Sequence, residues 1–362
     1  MVETPFYSRA LIPSQCTCPL FTFDHRFDQE TPAHCVLYSS GLAAAFGIFS
    51  HFLPKRVFIT GGYHGTHQVL AQLQKISDGA RYKKEPLRSP EEIGAFLQAG
   101  DLIWLETPLN PTCEVADIQA YVAAARAKAD VHVVVDGTFP GSYSAAVSSN
   151  FLEDWFAPPP LQRPLLLGVD AVMHATTKSL AGHSDALGGA VCVPSAEEAQ
   201  RLKQDRMALG STPGSLEVWL LMRSLRTLHL RAERQSQTAT QLSGWLHEAT
   251  KDKSHVLFGL VHSVQHPSLG AALTVASKQM KGFGGCFALE LSTEAAAKAM
   301  PGALKLFRSA TSLGGVESLI EWRRKWDSAI SPLLLRISIG LEDFEHLKAD
   351  LEQGILKVSS KE

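Results

Sequence analysis

The sequence predicts an α/β protein: a large domain on a mixed, mostly parallel sheet with helices on both faces, then a smaller C-terminal α+β domain. Three observations carry this reading. Apolar runs of strand length at 57–60, 102–107, 132–136, 171–176 and 189–193 are continuous and do not alternate, as strands buried on both faces must be. Helical patterns at 89–98 and 116–129 lie between such runs, and strand–helix units of about 30 residues build parallel sheets. After residue 216 the pattern changes: a long helical stretch over 216–241 leads to 286–291 and 334–339, which alternate as half-buried strands do.

In chain order, Ser40-Gly41 opens an apolar, Ala-rich helix over 42–49. The strand at 57–60 follows, then the helix 89–98 and the strand 102–107, which runs into Pro108. The helix 116–129 precedes the strand ending in Asp136, and the strand 171–176 flows into Thr177-Lys178. The stretch 261–281, rich in Gly, Ser, Gln and His, reads as a loop or insertion. The expected division is an N-terminal arm over 1–35, a large domain over 36–232 and a small domain over 233–362. No internal repeat or low-complexity tract interrupts it.

Composition excludes several classes. A chain of 362 residues has ample length for about two domains. A net charge of -2 and a pI near 6.7 advertise no surface for nucleic acid. No apolar run reaches the roughly 18 residues that span a bilayer, so no membrane role is expected. The start, Met1-Val2-Glu3-Thr4-Pro5-Phe6, has neither a basic nor an apolar leader region, so secretion is not expected. Six cysteines are scattered, and Cys16-Thr17-Cys18 lacks the spacing of a zinc knuckle. They read as reduced thiols in a cytoplasmic protein without a metal site.

The chemistry concentrates at strand ends, where ligands bind in open parallel sheets. Asp136 closes one buried strand, and Thr176-Thr177-Lys178 closes another. Pyridoxal 5'-phosphate (PLP) needs a lysine amine to form an imine and a carboxylate to keep its ring nitrogen protonated. It also needs hydroxyls near its phosphate. Read alone, the same pair fits two buried strands with polar ends. Ser40-Gly41-Leu42 at a helix start suits a phosphate, although the same letters make an ordinary Ser cap. Arg336 interrupts an apolar strand, a costly position unless an anion pairs with it.

Six blocks in collinear order then carry a resemblance. They are Tyr38-Ser39-Ser40-Gly41-Leu42-Ala43-Ala44, Tyr63-His64-Gly65-Thr66, Glu106-Thr107-Pro108-Leu109-Asn110-Pro111, the segment around Lys178, Ser312-Leu313-Gly314-Gly315-Val316-Glu317-Ser318-Leu319 and Leu335-Arg336-Ile337-Ser338-Ile339-Gly340-Leu341-Glu342-Asp343. Together they resemble the trans-sulfuration, or Cys/Met metabolism, family of PLP-dependent enzymes, which includes cystathionine γ-synthases and γ-lyases. The resemblance implies the aspartate-aminotransferase-like fold type I of PLP-dependent transferases.

It also implies roles. Lys178 would hold the cofactor and shuttle protons, and Asp136 would pair with the ring nitrogen. Thr138 and Asn110 would lie on the ring's hydroxyl side, with Tyr63 stacked on the ring and helping proton transfer. Ser40, Gly41, Leu42 and Thr177 would seat the phosphate. Arg336 would grip the substrate's α-carboxylate, while Glu317 and Ser318 match a pair tied to reaction preference and lysine orientation. Tyr7 and Arg9 match residues that reach across a dimer interface to the neighbour's phosphate, which implies a homodimer or homotetramer with shared active sites.

Departures mark a divergent branch, similar to one known from fungi. Ala175 replaces a serine that gives the phosphate a hydrogen bond. Ile12 and Ser14 depart within the Tyr7–Ser14 segment, and the chain before Tyr7 is shorter than in the family, which predicts more prominent dimers. Glu321-Trp322-Arg323-Arg324-Lys325-Trp326-Asp327 stands where the family has Pro-Ala-Ser-Met-Thr-His. The implied activity is at the γ-carbon of a small amino acid: γ-elimination of cystathionine, or γ-replacement on an O-activated homoserine. Two alternatives stay open, namely γ-substitution of O-acetylhomoserine by a carbon nucleophile in secondary metabolism, and a non-catalytic paralogue.

Overall fold

The computed structural model describes residues 34–139 and 161–360; Tyr7, Arg9 and nearly all of the expected arm lie outside them. A seven-stranded sheet forms the large unit. Its strands are β1 (His34–Tyr38), β2 (Arg56–Ile59), β3 (Lys83–Pro86), β4 (Asp101–Glu106), β5 (Val131–Asp136), β6 (Ala171–Ala175) and β7 (Gly189–Val193). The order is β1-β7-β6-β5-β4-β2-β3. The strands from β6 to β3 run parallel, whereas β7 is antiparallel to both β6 and β1.

Buried side chains of β4 and β5 go to opposite faces in turn. Trp104 and Val134 pack with Ile48, Phe49 and Leu70, from helices α1 (Gly41–Phe52) and α2 (His64–Ile76). Ile103, Leu105, Val133 and Val135 pack with Ile118 and Tyr121 on the other side. That face carries α3 (Pro90–Ile93) and α4 (Ile118–Arg126). Two covered faces explain the continuous apolar runs. The segment 89–98 is helical only over α3, beyond which the Gln98 N–H donates to Asp101 Oδ2 at 2.7 Å.

Helices α5 (Ala196–Ala208), α6 (Ser215–Leu225) and α7 (Leu228–Glu248) lead to the second unit. The expected single helix over 216–241 is broken at Arg226-Thr227. There the bonds shorten to the i−3 carbonyls of Arg223 and Ser224, and the Thr227 hydroxyl donates to the Ser224 carbonyl at 3.2 Å. A side chain that competes for backbone groups favours such a turn. The break lets Arg231 of α7 reach the Ser179 carbonyl (2.8 Å) and the Ser224 carbonyl (3.0 Å). The expected boundary at 232 thus falls inside a helix that serves both units.

The second unit holds β8 (Val261–Gln265), α8 (Ala272–Gln279), β9 (Cys286–Leu291), α9 (Glu294–Ala299), β10 (Arg308–Ser309), β11 (Leu319–Trp322), β12 (Leu334–Ser338) and α10 (Phe344–Ser359). Its sheet order is β10-β11-β12-β9-β8. The expected loop at 261–281 therefore contains a strand and a helix. β8 is an edge strand with an irregular register at Val261/Ser263, and α8 buries only Ala276. Both patterns are too dilute to stand out in sequence. Ile320, Leu335, Ile337, Phe287 and Leu289 fill a core with α7 and α10. The opposite face turns Arg336, Glu321 and Ser338, all buried, toward the large sheet.

Candidate active site

The carboxyl ends of β4, β5 and β6 form one rim. β4 ends in Glu106 and β5 in Asp136, and the two are direct register partners. β6 ends at Ala175, and the chain turns through Lys178, whose N–H donates to the Ala175 carbonyl at 3.1 Å. Lys178 Nζ donates to Ser312 Oγ at 3.1 Å, a contact between the two units. Burial first, and the Arg336 charge second, lower the Lys178 pKa, which favours the neutral, nucleophilic amine.

Asp136 is 2% exposed and accepts the Thr138 N–H at 3.0 Å. Burial raises its pKa to about 6 against hydrogen bonds from Thr138. Glu106 accepts two backbone donors, Tyr63 N–H on Oε2 (2.8 Å) and Asn110 N–H on Oε1 (2.9 Å). Burial, then the Asp136 charge, raise its pKa to about 8. Tyr63 stands at the start of α2 with its side chain partly open. Burial first, and the Asp136 charge second, raise its pKa.

Arg336 is buried, and both of its terminal nitrogens have partners. Nη1 donates to Asn110 Oδ1 at 3.0 Å, while Nη2 donates to the Ser312 carbonyl at 3.1 Å and to Glu321 Oε2 at 2.7 Å. Asn110 thereby links Glu106 to Arg336. Ser40 Oγ accepts the Ala43 N–H at 3.0 Å, the ordinary cap of α1. At Gly41 an added Cβ would lie 2.8 Å from the Ala175 Cβ, so only glycine permits this approach of α1 to the end of β6. Leu42 follows, partly exposed.

Other expected residues are committed to the scaffold. Thr177 Oγ1 accepts the Gly188 N–H at 3.0 Å, and Thr138 Oγ1 accepts the Ala175 N–H at 2.8 Å. Glu317 Oε1 accepts from Ser184 Oγ at 2.8 Å. Ser318 is buried, and its Oγ donates to Glu342 Oε2 at 2.7 Å and accepts the Gly340 N–H at 2.9 Å. Sequence reading gave no role to Glu106, Ser312 or Glu321. For Glu106 the signal was available, since it ends a buried strand as Asp136 does. Glu321 was hidden inside a charge run.

This arrangement suits PLP. A buried carboxylate whose hydrogen bonds come from one residue is completed by a protonated ring nitrogen. The bare Gly41 approach at a helix N-terminus leaves backbone N–H groups open to a phosphate. Lys178 supplies the amine, and the Tyr63 ring a face for stacking. Among the described residues no cluster of His, Cys, Asp or Glu could hold a metal ion, and no helix is long and apolar enough to cross a membrane.

Comparison with known proteins agrees with this geometry. The sequence matches the family described as Cys/Met metabolism PLP-dependent enzyme over residues 23–356. It is 33% identical to a cystathionine beta-lyase of Lactococcus lactis over 344 residues, covering 91% of this chain and 84% of that protein. It is 32% identical to a cystathionine gamma-synthase of Mycobacterium tuberculosis over 339 residues, covering 90% and 81%. The crystal structure of metB from Corynebacterium glutamicum superposes with a TM-score of 0.77 at 31% identity, covering 90% of this chain and 81% of that one. The methionine gamma lyase CalE6 of Micromonospora echinospora gives 0.75 at 32% identity, covering 89% and 82%. With this likeness along nearly its whole length, the chain belongs to the Cys/Met metabolism family and is a PLP-dependent enzyme of the trans-sulfuration kind.

Proposed function

We propose that the chain breaks or exchanges a substituent at the γ-carbon of a small amino acid, either the thioether of cystathionine or the activated oxygen of an O-acylhomoserine. The observation that carries this is the Lys178 amine, half-buried and held by Ser312 at 3.1 Å, on the same rim as Asp136. Relatives named cystathionine gamma-synthase and cystathionine gamma-lyase support the γ position. Four described cysteines are free thiols, in keeping with a cytoplasmic setting.

When bound, PLP supplies an electron sink for the charge that develops at Cα. Asp136 holds the proton on the ring nitrogen that makes the sink effective. Arg336 receives the substrate's α-carboxylate and is steadied by Asn110 and Glu321. Lys178, as a neutral amine, removes the Cα proton and carries it onward, with Ser312 fixing the direction of Nζ. Tyr63, partly exposed, would offer its face to the cofactor ring and could help move the second proton, the one at Cβ. Glu106 acts at one remove: its two oxygens hold the backbone of Tyr63 and of Asn110. Ser40, Gly41, Leu42 and Thr177 form the phosphate seat, Thr177 by turning its hydroxyl from Gly188, and Thr138 braces Asp136.

The working unit in this reading is a homodimer. Met207, Leu216, Trp219 and Leu230, on α5, α6 and α7, are each more than half exposed, and large apolar side chains left in water are ones that an interface could cover. Tyr7 and Arg9, outside the described residues, would complete the neighbour's phosphate site.

A product screen of the PLP-loaded protein with cystathionine and O-acetylhomoserine tests the activity. Lys178→Ala should abolish the visible band of covalently held cofactor and lower turnover by at least ~10²-fold. A retained band would overturn the assignment. A second test concerns pH. Glu106, raised from 4.5 to about 8, binds its proton more tightly folded than unfolded. Its contribution to stability is therefore full below 4.5 and lost as pH rises through about 8. In the cofactor-free protein, Glu106→Gln should gain stability relative to wild type across that window, read as the shift in urea midpoint. A difference independent of pH would contradict the raised value. For the shared site, mixing Arg9→Ala chains with Lys178→Ala chains should restore part of the activity lost in each. No recovery in mixed dimers confirmed by mass would place Arg9 outside its partner's site.

A further inference from the structure

Arg231, near the start of α7, is 3% exposed, and among the described residues its hydrogen bonds all go to neutral oxygens. Nη1 donates to the Ser179 carbonyl at 2.8 Å, and Nη2 to the carbonyls of Leu180 at 3.3 Å and Ser224 at 3.0 Å. Nε donates to Thr227 Oγ1 at 3.3 Å. Burial lowers its pKa to about 10, with no anionic neighbour to oppose the fall. A buried charge without a counter-ion is expensive, and an apolar side chain would fill the same space at less cost. The guanidinium instead gathers three carbonyls from two segments, and two of them belong to the residues directly after Lys178.

One helical turn further along α7, Gln235 is 4% exposed and donates Nε2 to the Gly315 carbonyl at 2.6 Å. Gly315 lies in the loop that carries Ser312, and this loop packs onto the lysine loop. The Val316 N–H donates to the Gly182 carbonyl at 2.9 Å. At Gly314, where φ is 76°, an added Cβ would lie 2.7 Å from the Ser179 nitrogen. Within the lysine loop the Gly182 N–H returns to the Lys178 carbonyl at 2.7 Å. Gly182 has no room for a Cβ, which would run into Arg231 Nη1. Helix α7 thus holds the lysine loop with one side chain and the Ser312 loop with another, at a spacing fixed by the helix. The contact between Lys178 Nζ and Ser312 Oγ, 3.1 Å, spans these same two loops.

We propose that Arg231 and Gln235 are positioning residues for Lys178: from one helix they set how far the lysine loop stands from the Ser312 loop, and so where Nζ sits when it takes the substrate's Cα proton. This rests on the reading of Lys178 as the amine that moves that proton. Neither residue touches substrate. Their loss slows the proton step and leaves binding through Arg336 nearly as it was. A misplacement of about 1 Å costs on the order of 10²-fold in such a step.

The cofactor-free protein gives the first readout. Acetic anhydride labelling across pH, with mass mapping of the Lys178 peptide, reports where that amine loses its proton. Burial holds that pKa down in wild type. Arg231→Gln should move the labelling midpoint upward by about half a pH unit, as the loop loosens and Nζ gains water. Amide hydrogen exchange over 178–182 should quicken about tenfold. The second readout uses the PLP-loaded enzyme and L-norleucine, which carries no γ leaving group. Exchange of its Cα proton in D2O should fall about 10²-fold in Arg231→Gln and about tenfold in Gln235→Leu, while its Kd changes by less than about threefold. Arg231→Lys, which keeps the charge but loses the fork, should fall between wild type and Arg231→Gln. A lower thermal midpoint with an unmoved labelling midpoint and unchanged Cα exchange would make Arg231 purely structural and overturn the proposal. Equal losses in binding and exchange would overturn it too. Should Arg231→Gln fail to fold, Arg231→Lys and Gln235→Leu decide by the same measurements. Failure of the lysine reading itself shows separately, as wild-type enzyme that carries its PLP on an amine other than Lys178.

Discussion

Two carboxylates at the ends of neighbouring parallel strands set the terms for this site. The register of β4 against β5 places Glu106 directly beside Asp136, and both are buried. Like charges so placed in a poor solvent cannot both ionise cheaply, so the pair holds protons more tightly than isolated acids do. Glu106 is relieved by two backbone N–H donors, and those donors belong to Tyr63 and Asn110. Among the described residues, the hydrogen bonds to Asp136 come from Thr138, which suits a carboxylate proposed to meet a cationic ring nitrogen. One carboxylate thus organises the protein around the crevice, and the other is the one proposed to meet the cofactor.

The second sheet answers with cations. Along β12, Leu335 and Ile337 enter the core while Arg336 points across to Asn110. A buried guanidinium is tolerable only when its donors are matched, and here they meet an amide, two backbone carbonyls and Glu321. Lys178 and Ser312 form a parallel link between the units, as does Cys113 Sγ, 3.7 Å from the Cys286 carbonyl. Arg231 adds a clamp on the loop after Lys178. The site is therefore the seam of the molecule, and its geometry depends on both sheets being folded.

How much of this was legible in the sequence depends on how each element is buried. β4, β5, β6 and β7 were readable within about a residue or two at their ends, because two covered faces leave no polar positions to blur the run. β3, with the sequence Lys-Lys-Glu-Pro, was not, since it is an exposed edge strand. β8 and α8 were read as a loop because each buries too little to show a period. The break between α6 and α7 depends on Thr227 and on the distant loop that Arg231 grips, which no local pattern reveals. At the site, Lys178, Asp136, Tyr63, Asn110 and Arg336 were named from sequence. The mates that hold them were not, because Ser312 and Glu321 become neighbours only through the pairing of the two units. Ser318 was expected to orient the lysine, yet its hydroxyl is spent on Glu342.

The central claim is that this seam holds PLP on the Lys178 amine. Reduction of the purified holoenzyme with borohydride fixes the cofactor to whichever amine carries it, and peptide mass mapping locates the pyridoxyl group. The label should appear on the peptide containing Lys178 and on no other lysine. A label elsewhere, or none on a protein that is folded and yellow, would contradict the account.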